Sequence, residues 1–201
     1  MSGILFMVSA ASGTGKTSLV KALRTAEPEI VLSISHTTRP PRPGEVDGQH
    51  YRFVERSKFD DMHRAGSFLE SAEIYGHRYG TSREGIALEL QRGIDVLLEI
   101  DWQGAHQVCR VIPAVGIFIL PPSLDVLKAR LMNRGQDTPD VIARRLEAAE
   151  QEIAHAVEYD YVIINDDFNR AALDFRSIIR AERLTLARQV VRHGELINRT
   201  K

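Results

Sequence analysis

The chain of 201 residues holds one cysteine, Cys109, one tryptophan, and no row of Cys and His at zinc-ligand spacing. An internal disulfide is excluded, a structural zinc site has no ligand set, and a reducing compartment is the natural expectation. An excess of charge is missing too: 26 Lys and Arg stand against 27 Asp and Glu, a formal net charge of −1. No global field draws such a chain to DNA or an anionic membrane, so no nucleic-acid or membrane partner is expected and any phosphate site must be local. No apolar run approaches the roughly 18 residues that span a bilayer. The first residues, Met1-Ser2-Gly3, carry no basic region of a signal peptide, and a cytoplasmic location is expected. Lysine is scarce, since 21 of the 26 cations are Arg. Arg forks bind phosphate oxygens in pairs, but codon usage accounts for such a skew as a whole, so each position must argue for itself.

What is present is the ordinary mix of a soluble globular chain, 43% hydrophobic and 26% charged. No internal repeat or low-complexity tract occurs, which predicts one compact unit with inserted subregions. Residues 4–9, 31–34, 96–100, 115–120 and 161–164 are short, branched, continuous apolar runs. They read as buried strands of a parallel sheet. Between them lie helix signals. Ser82 caps a helix that ends near Gly93, Ser123 opens another after Pro121-Pro122, and Thr138-Pro139 starts a third with Ile142, Leu146, Ala149 and Ile153 on one stripe. A long helix over 168–188 turns Ala172, Phe175, Ile178 and Ile179 inward. This alternation predicts a doubly wound α/β fold.

Residues 35–79 break the alternation. The stretch from His36 to Gly44 is rich in Pro, Gly and Arg, and short strands follow around 51–54 and 68–74 with a helix capped at Ser57 between them. An inserted α+β subdomain is expected. Asn133 to Asp137 is a polar turn between two helices, the tip of a helical flap.

Directly after the first strand stands Ala10-Ala11-Ser12-Gly13-Thr14-Gly15-Lys16-Thr17, and Ser18-Leu19-Val20 begins a helix. This is the GxxxxGK[ST] phosphate loop in its strand, loop and helix context, with Ala10 departing at the first glycine. Gly13 and Gly15 allow the loop to turn its N–H groups onto a phosphate, and the helix N-terminus adds positive potential. Lys16 would reach the β and γ phosphates and Thr17 would ligate Mg²⁺. A nucleoside triphosphate is the expected ligand. Further on, Arg39 and Arg42 lie three apart in a loop stiffened by Pro40, Pro41 and Pro43. Two rigid guanidinium forks suit a second anionic group, and a solvated basic loop fits the same composition.

The motifs in order resemble the guanylate kinases: the phosphate loop, Thr37-Thr38-Arg39-Pro40-Pro41-Arg42-Pro43-Gly44-Glu45, Gly48 to Phe53, Phe68-Leu69-Glu70, Tyr79-Gly80-Thr81, Glu99-Ile100-Asp101-Trp102-Gln103-Gly104, Pro121-Pro122-Ser123, Arg134-Gly135, Arg145-Leu146 and Ile164-Asn165-Asp166-Asp167. The resemblance covers nearly the whole chain and is greatest to bacterial members, which also tend to carry Ala at the position of Ala10. It implies a phosphate-loop core over 1–34, 82–124 and 159–201, a GMP-binding insertion over 35–81 and a lid over 125–158. It implies Mg²⁺-dependent transfer of the ATP γ-phosphoryl to GMP, and to dGMP. Ala11, Ser12, Gly13, Thr14, Gly15, Lys16, Thr17, Ser18 and Asn165 would hold ATP. Arg39, Arg42, Tyr51 and Tyr79 would hold the GMP phosphate, with Ser33, Glu70, Gly80, Thr81 and Asp101 around the guanine. Glu70 has an independent rationale: guanine presents N1–H and its N2 amino group side by side to one carboxylate, whereas adenine turns an unprotonated N1 toward it. Without the family, Glu70 also reads as an outward-facing strand carboxylate.

The reaction needs positioning and charge neutralisation more than a strong base, because the acceptor is an ionised phosphate oxygen. Lys16, Arg39, Arg42 and the lid cations Arg134 and Arg145 are the expected catalytic residues, and Glu99 is expected near the metal, acting through water. Arg134 and Arg145 also suit an exposed helix face paired with Glu147 and Glu150, and Asp166 or Asp167 suits a plain helix cap. Two other readings stay open at this stage: a catalytically silent peptide-binding module of the same fold, and a kinase for another monophosphate, which leaves Glu70 unexplained. The Arg- and Leu-rich end over 183–197 offers a face to a second copy, so a homo-oligomer is an expected possibility.

Overall fold

The computed structural model describes residues 2–74, 76–132 and 139–197. The elements in order are β1 (Leu5–Ala10), α1 (Lys16–Ala26), β2 (Val31–Leu32), β3 (His36–Thr37), β4 (Arg52–Phe53), α2 (Arg56–Arg64), β5 (Phe68–Ile74), β6 (His77–Ser82), α3 (Arg83–Gln91), β7 (Val96–Glu99), α4 (Trp102–Cys109), β8 (Val115–Leu120), α5 (Leu124–Met132), α6 (Pro139–Ala154), β9 (Tyr161–Ile164), α7 (Phe168–Arg183) and α8 (Leu186–Ile197). Five strands form one sheet in the order β2-β7-β1-β8-β9, and four form a second in the order β4-β3-β6-β5. The larger sheet steps outward from β1 in both directions, the arrangement of a doubly wound α/β fold. Its pairs β2 with β7 and β8 with β9 are parallel, with Val31 opposite Val96 and Ile117 opposite Tyr161. Leu5, Phe6, Met7 and Val8, Leu97 and Leu98, and Ile117, Phe118 and Ile119 are all buried. Strands covered on both faces need such uninterrupted apolar runs. The expected burial of 31–34 and 161–164 fails at the two sheet edges, where β2 is only Val31–Leu32 with Val31 exposed and β9 exposes Val162 and Ile164.

The chain divides into two compact units, one of Val8–Ile30 with Val115–Lys201 and one of Ser2–Met7 with Val31–Ala114. In the first, α1 buries Leu19, Val20 and Leu23, and α7 buries Ala171, Phe175 and Ile179. Glu27, which ends α1, sits between two cations of α7: its carboxylate accepts from Arg176 Nε at 2.6 Å and Arg183 Nη1 at 2.8 Å. Burial pushes this carboxyl up, but the two guanidiniums outweigh it and hold the pKa below the ordinary carboxylate value. A depressed pKa contributes stability that is present above the unfolded-state value and lost as pH falls through the folded one. Glu27→Gln is therefore expected to lower stability by about 1–2 kcal/mol at pH 7, a few degrees in Tm, with the deficit shrinking in acid. Thermal melts of both proteins at neutral and acidic pH check this, and a pH-independent deficit would rule out the ion pairs as its source.

Ser123 caps α5 as expected, accepting from Val126 N at 3.2 Å. Leu146, Ala149 and Ile153 of α6 pack with Ala11, Leu127 and Leu131. Thr138 and the side chain of Ile142 lie outside the described residues. The long C-terminal helix departs from expectation, because it is two helices separated at Leu184 and Thr185. At the break Gln189 Nε2 donates to Arg183 O at 3.0 Å and so caps the last turn of α7, while Arg188 N and Gln189 N donate to Thr185 O to start the next helix. The buried stripe of α7 runs through Ala171, not Ala172, and Ile178 is only half-buried, because residues at i, i+4 and i+8 share the inward face. None of the described α8 side chains is buried, and Leu186, Val191 and Leu196 are exposed.

In the second unit, β3 pairs in parallel with β4 and antiparallel with β6, and β6 forms a hairpin with β5. Strands β3 and β6 go beyond the expected pair in the insertion. Helix α3 has its expected cap, with Ser82 Oγ accepting from Gly85 N, and Gly93 follows it at φ 80°. Ser57 does not cap α2. The helix begins one residue earlier, after an extended Glu55 whose side chain makes no capping bond.

Candidate active site

In the first unit the phosphate loop connects β1 to α1. Gly13 and Gly15 adopt φ of 91° and 98°, in the left-handed region open to glycine. Thr14 folds the loop on itself, with its hydroxyl donating to Ala11 O at 2.9 Å. Gly15 occupies the N-cap of α1 and brings no side chain to cover the first N–H groups of the helix, which are the groups an anion would use. A Cβ at Gly15 would lie 2.5 Å from Asn165 Nδ2, so the close approach of Asn165 also requires glycine there. Asn165 is buried beyond β9, and its Nδ2 donates to Thr14 O at 2.6 Å. The Arg130 guanidinium donates to Asn165 O at 3.0 Å and to Thr14 O at 3.5 Å, fastening α5 to the same loop. Ser12 N donates to Glu152 Oε2 of α6 at 3.3 Å, so the loop amides already attract an anionic oxygen. Lys16, Thr17 and Ser18 form the first turn of α1, and Arg145 stands half-buried on α6. Arg134 lies outside the described residues.

In the second unit Glu70 of β5 is buried, and Thr81 Oγ1 of β6 donates to its Oε1 at 2.5 Å. Burial is the main cause that pushes the Glu70 carboxyl up to about 7; the neighbouring Asp101 carboxylate adds to it and the Thr81 hydrogen bonds oppose it. Asp101 caps α4 by accepting from Gly104 N at 2.8 Å. Arg39 is buried, donating to Glu45 Oε1 and to Pro40 O at 2.8 Å each. Its guanidinium carbon lies 5.4 Å from the centre of the Tyr51 ring, which meets Tyr79 edge-on at 5.8 Å. The hydrogen bond from Arg39 holds the Glu45 carboxyl down at about 2, helped by the Arg42 N–H that donates to Glu45 Oε2 at 2.7 Å. Burial raises the Tyr51 hydroxyl, so it stays protonated and available as a donor. Glu99 ends β7, half-buried.

The family described as "Guanylate kinase" matches residues 3–182. A guanylate kinase of Thiobacillus denitrificans is 56% identical over 195 residues, covering 96% of this chain and 93% of that one. One from Escherichia coli K12 is 52% identical over 200 residues, covering 98% and 97%. The crystal structure of guanylate kinase from Anaplasma phagocytophilum superposes with a TM-score of 0.75 at 35% identity, covering 93% of this chain and 89% of that one. The chain belongs to the guanylate kinase family. It is an ATP:GMP phosphotransferase.

With the family in view, three residues that sequence reasoning passed over gain a place. Glu45 orients Arg39, and its spacing six residues after Arg39 in a proline-stiffened loop is the signal that was available. Arg130, four residues before Arg134, ties the loop to Asn165. The hydroxyl beside Thr81 Oγ1 is that of Ser35, 3.5 Å away, whereas Ser33 is held through its backbone N–H to Leu97 O at 2.9 Å. Gly80 has a packing reason of its own, since a Cβ there would come within 2.9 Å of the Phe68 ring. Among the described residues no helix is long and apolar enough to cross a membrane.

Proposed function

We propose that this guanylate kinase reads guanine with Glu70, holds the GMP phosphate with Arg39, Arg42, Tyr51 and Tyr79, and requires Mg²⁺ with ATP. The observation that carries the reading is a buried carboxylate at Glu70, anchored on Thr81 and raised toward neutral pH, in the same unit as the Arg39 and Tyr51 cluster. Such a carboxylate is costly to bury unless a ligand offers it two donors, as the N1–H and N2–H of guanine do. Asp101 and the hydroxyls of Thr81 and Ser35 complete the base pocket. Gly80 supports it from β6.

Lys16 and the N–H groups of residues 11–18 hold the ATP phosphates, and Asn165 and Arg130 keep that loop in shape. Thr17 and Glu99 present oxygen donors, the kind Mg²⁺ takes, with Thr17 direct and Glu99 through water. The cation supplies neutralisation of the phosphate charge. As a GMP phosphate oxygen bonds to the γ-phosphorus, the bond from that phosphorus to the oxygen bridging it to the β-phosphorus breaks. Arg39 and Arg42 align the acceptor, and Arg134 and Arg145 screen the transferring group. Residues 35–81 act as the GMP-binding part, 125–158 as the lid and the remainder as the core. Cytoplasmic residence and use of dGMP accord with the same reading. The exposed Leu186, Val191 and Leu196 support association with a second copy.

The test is ADP release with Mg-ATP and each of GMP, dGMP, AMP, CMP and UMP, with and without a chelator. Turnover with the two guanine nucleotides alone, abolished by the chelator, is expected. Turnover with another monophosphate would remove Glu70 from base reading, and chelator-resistant turnover would remove the metal.

A further inference from the structure

The side of β5 away from β6 is the open edge of the four-stranded sheet, so its peptide groups there have no strand to pair with. Just before Glu70 the strand is irregular. Phe68 is opposite Ser82 but Glu70 is opposite Thr81, so Leu69 is an extra residue in the β5 strand of the ladder. A bulge of this kind re-aims the side chain that follows and weakens the local pairing. Glu70 thus sits on an edge strand at its least regular point, and its aim needs support from elsewhere.

That support comes from α4. Gln107 Oε1 accepts from Ser71 N at 3.0 Å, and Gln107 Nε2 donates to Ser71 O at 2.9 Å. One primary amide answers both peptide groups of the residue after Glu70, as a neighbouring strand would. One turn earlier on the same face, a Cβ at Gly104 would stand 2.9 Å from Glu70 Oε2 and 3.3 Å from its Cδ. Asp101, at the start of the helix, accepts from Gly104 N and faces Glu70 electrostatically. Positions 101, 104 and 107 follow the three-residue spacing of one helix face.

We propose that Gln107 is a positioning residue for the guanine-reading carboxylate: it locks the bulged edge of β5 so that Glu70 meets the base in one orientation, against a wall kept clear by Gly104. The role demands a donor and an acceptor on one short side chain. Methionine, of nearly the same volume, offers neither bond. The inference rests on the reading that Glu70 binds guanine.

The experiment compares Gln107→Met, Gly104→Ala, Glu70→Gln and the Glu70→Gln/Gln107→Met double variant with the unaltered protein by steady-state kinetics, each checked for folding by circular dichroism. Gln107→Met is expected to raise KM for GMP about tenfold, with kcat and KM for ATP within about twofold. Gly104→Ala should show the same split. The double variant should be no worse toward GMP than Glu70→Gln alone, because a residue acting through Glu70 has nothing left to position. An unchanged KM for GMP in folded Gln107→Met, or an equal rise for ATP, would overturn the proposal. Should Gln107→Met fail to fold, Gln107→Glu, which keeps the acceptor for Ser71 N and loses the donor to Ser71 O, decides in the same terms. If Glu70→Gln itself leaves KM for GMP unchanged, the reading of Glu70 fails and the inference with it; if only Gln107→Met is silent, the inference fails alone.

Discussion

Glu70→Gln is expected to raise KM for GMP about 10²-fold while KM for ATP stays within about twofold. Glutamine keeps the size of the side chain but has one acceptor where guanine needs two, and its amino group faces a donor of the base. A buried donor left unpaired costs about 1–3 kcal/mol, which sets the magnitude. The same substitution is expected to stabilise the nucleotide-free protein at alkaline pH. The folded-state pKa of about 7 lies above the unfolded carboxylate value, so the folded protein binds the extra proton between the two and loses stability as pH rises through 7. Removing the charge relieves up to about 3 kcal/mol at pH 8, and the relief should disappear below about pH 4. Kinetics with each substrate varied, together with thermal melts at pH 8 and pH 4, test both halves. Equal losses toward GMP and ATP would take Glu70 out of base recognition, and a variant less stable at pH 8 would show that the buried charge is not what strains the pocket.

Lys16→Ala is the complementary case. Removing one preorganised cation from a phosphoryl-transfer site typically lowers kcat by about 10²–10³-fold, and that is the expected loss at saturating ATP and GMP. Because Lys16 opens α1 directly after Gly15, alanine fits the helix there and the loop conformation set by Gly13, Gly15 and Asn165 should persist. A rise in KM for ATP with kcat unchanged would instead describe uniform binding of ground state and transition state. Rapid-quench measurement of the chemical step separates these outcomes.

The parallel sheet was the most legible part of the sequence, since strands covered on both faces require apolar runs that no surface pattern interrupts. Strands β3 and β6 were not legible, because His36-Thr37 becomes a strand only through partners distant in sequence, and the polar run His77–Ser82 shows no apolar alternation although its hairpin partner β5 adjoins it. The break after α7 carries neither Gly nor Pro; it is marked only by short-range bonds, Gln189 turning back onto Arg183 and the N–H groups of Arg188 and Gln189 donating to Thr185 O, which composition does not announce. Within the site, the glycines of the phosphate loop and the Arg39 loop could be read from residue type alone. The groups that act on other groups could not. Arg130 and Gln107 each touch a partner whose proximity folding creates, and Ser35 rather than Ser33 faces Thr81 because the antiparallel pairing of β3 with β6 sets His36 opposite Gly80, which brings residue 35 beside residue 81.

If Glu70 reads guanine as proposed, its carboxylate, raised to about 7, also makes the base pocket a proton exchanger. Around neutrality the empty pocket is a mixture of protonated and ionised forms, and guanine, which brings two donors, selects the ionised one. Each GMP captured at pH 7 is then expected to expel on the order of half a proton into the medium. Its affinity is expected to climb with pH up to a plateau above about 8 and to fall toward tenfold per unit in acid, so the pH of the surroundings would set how much of the monophosphate pool the enzyme can draw on.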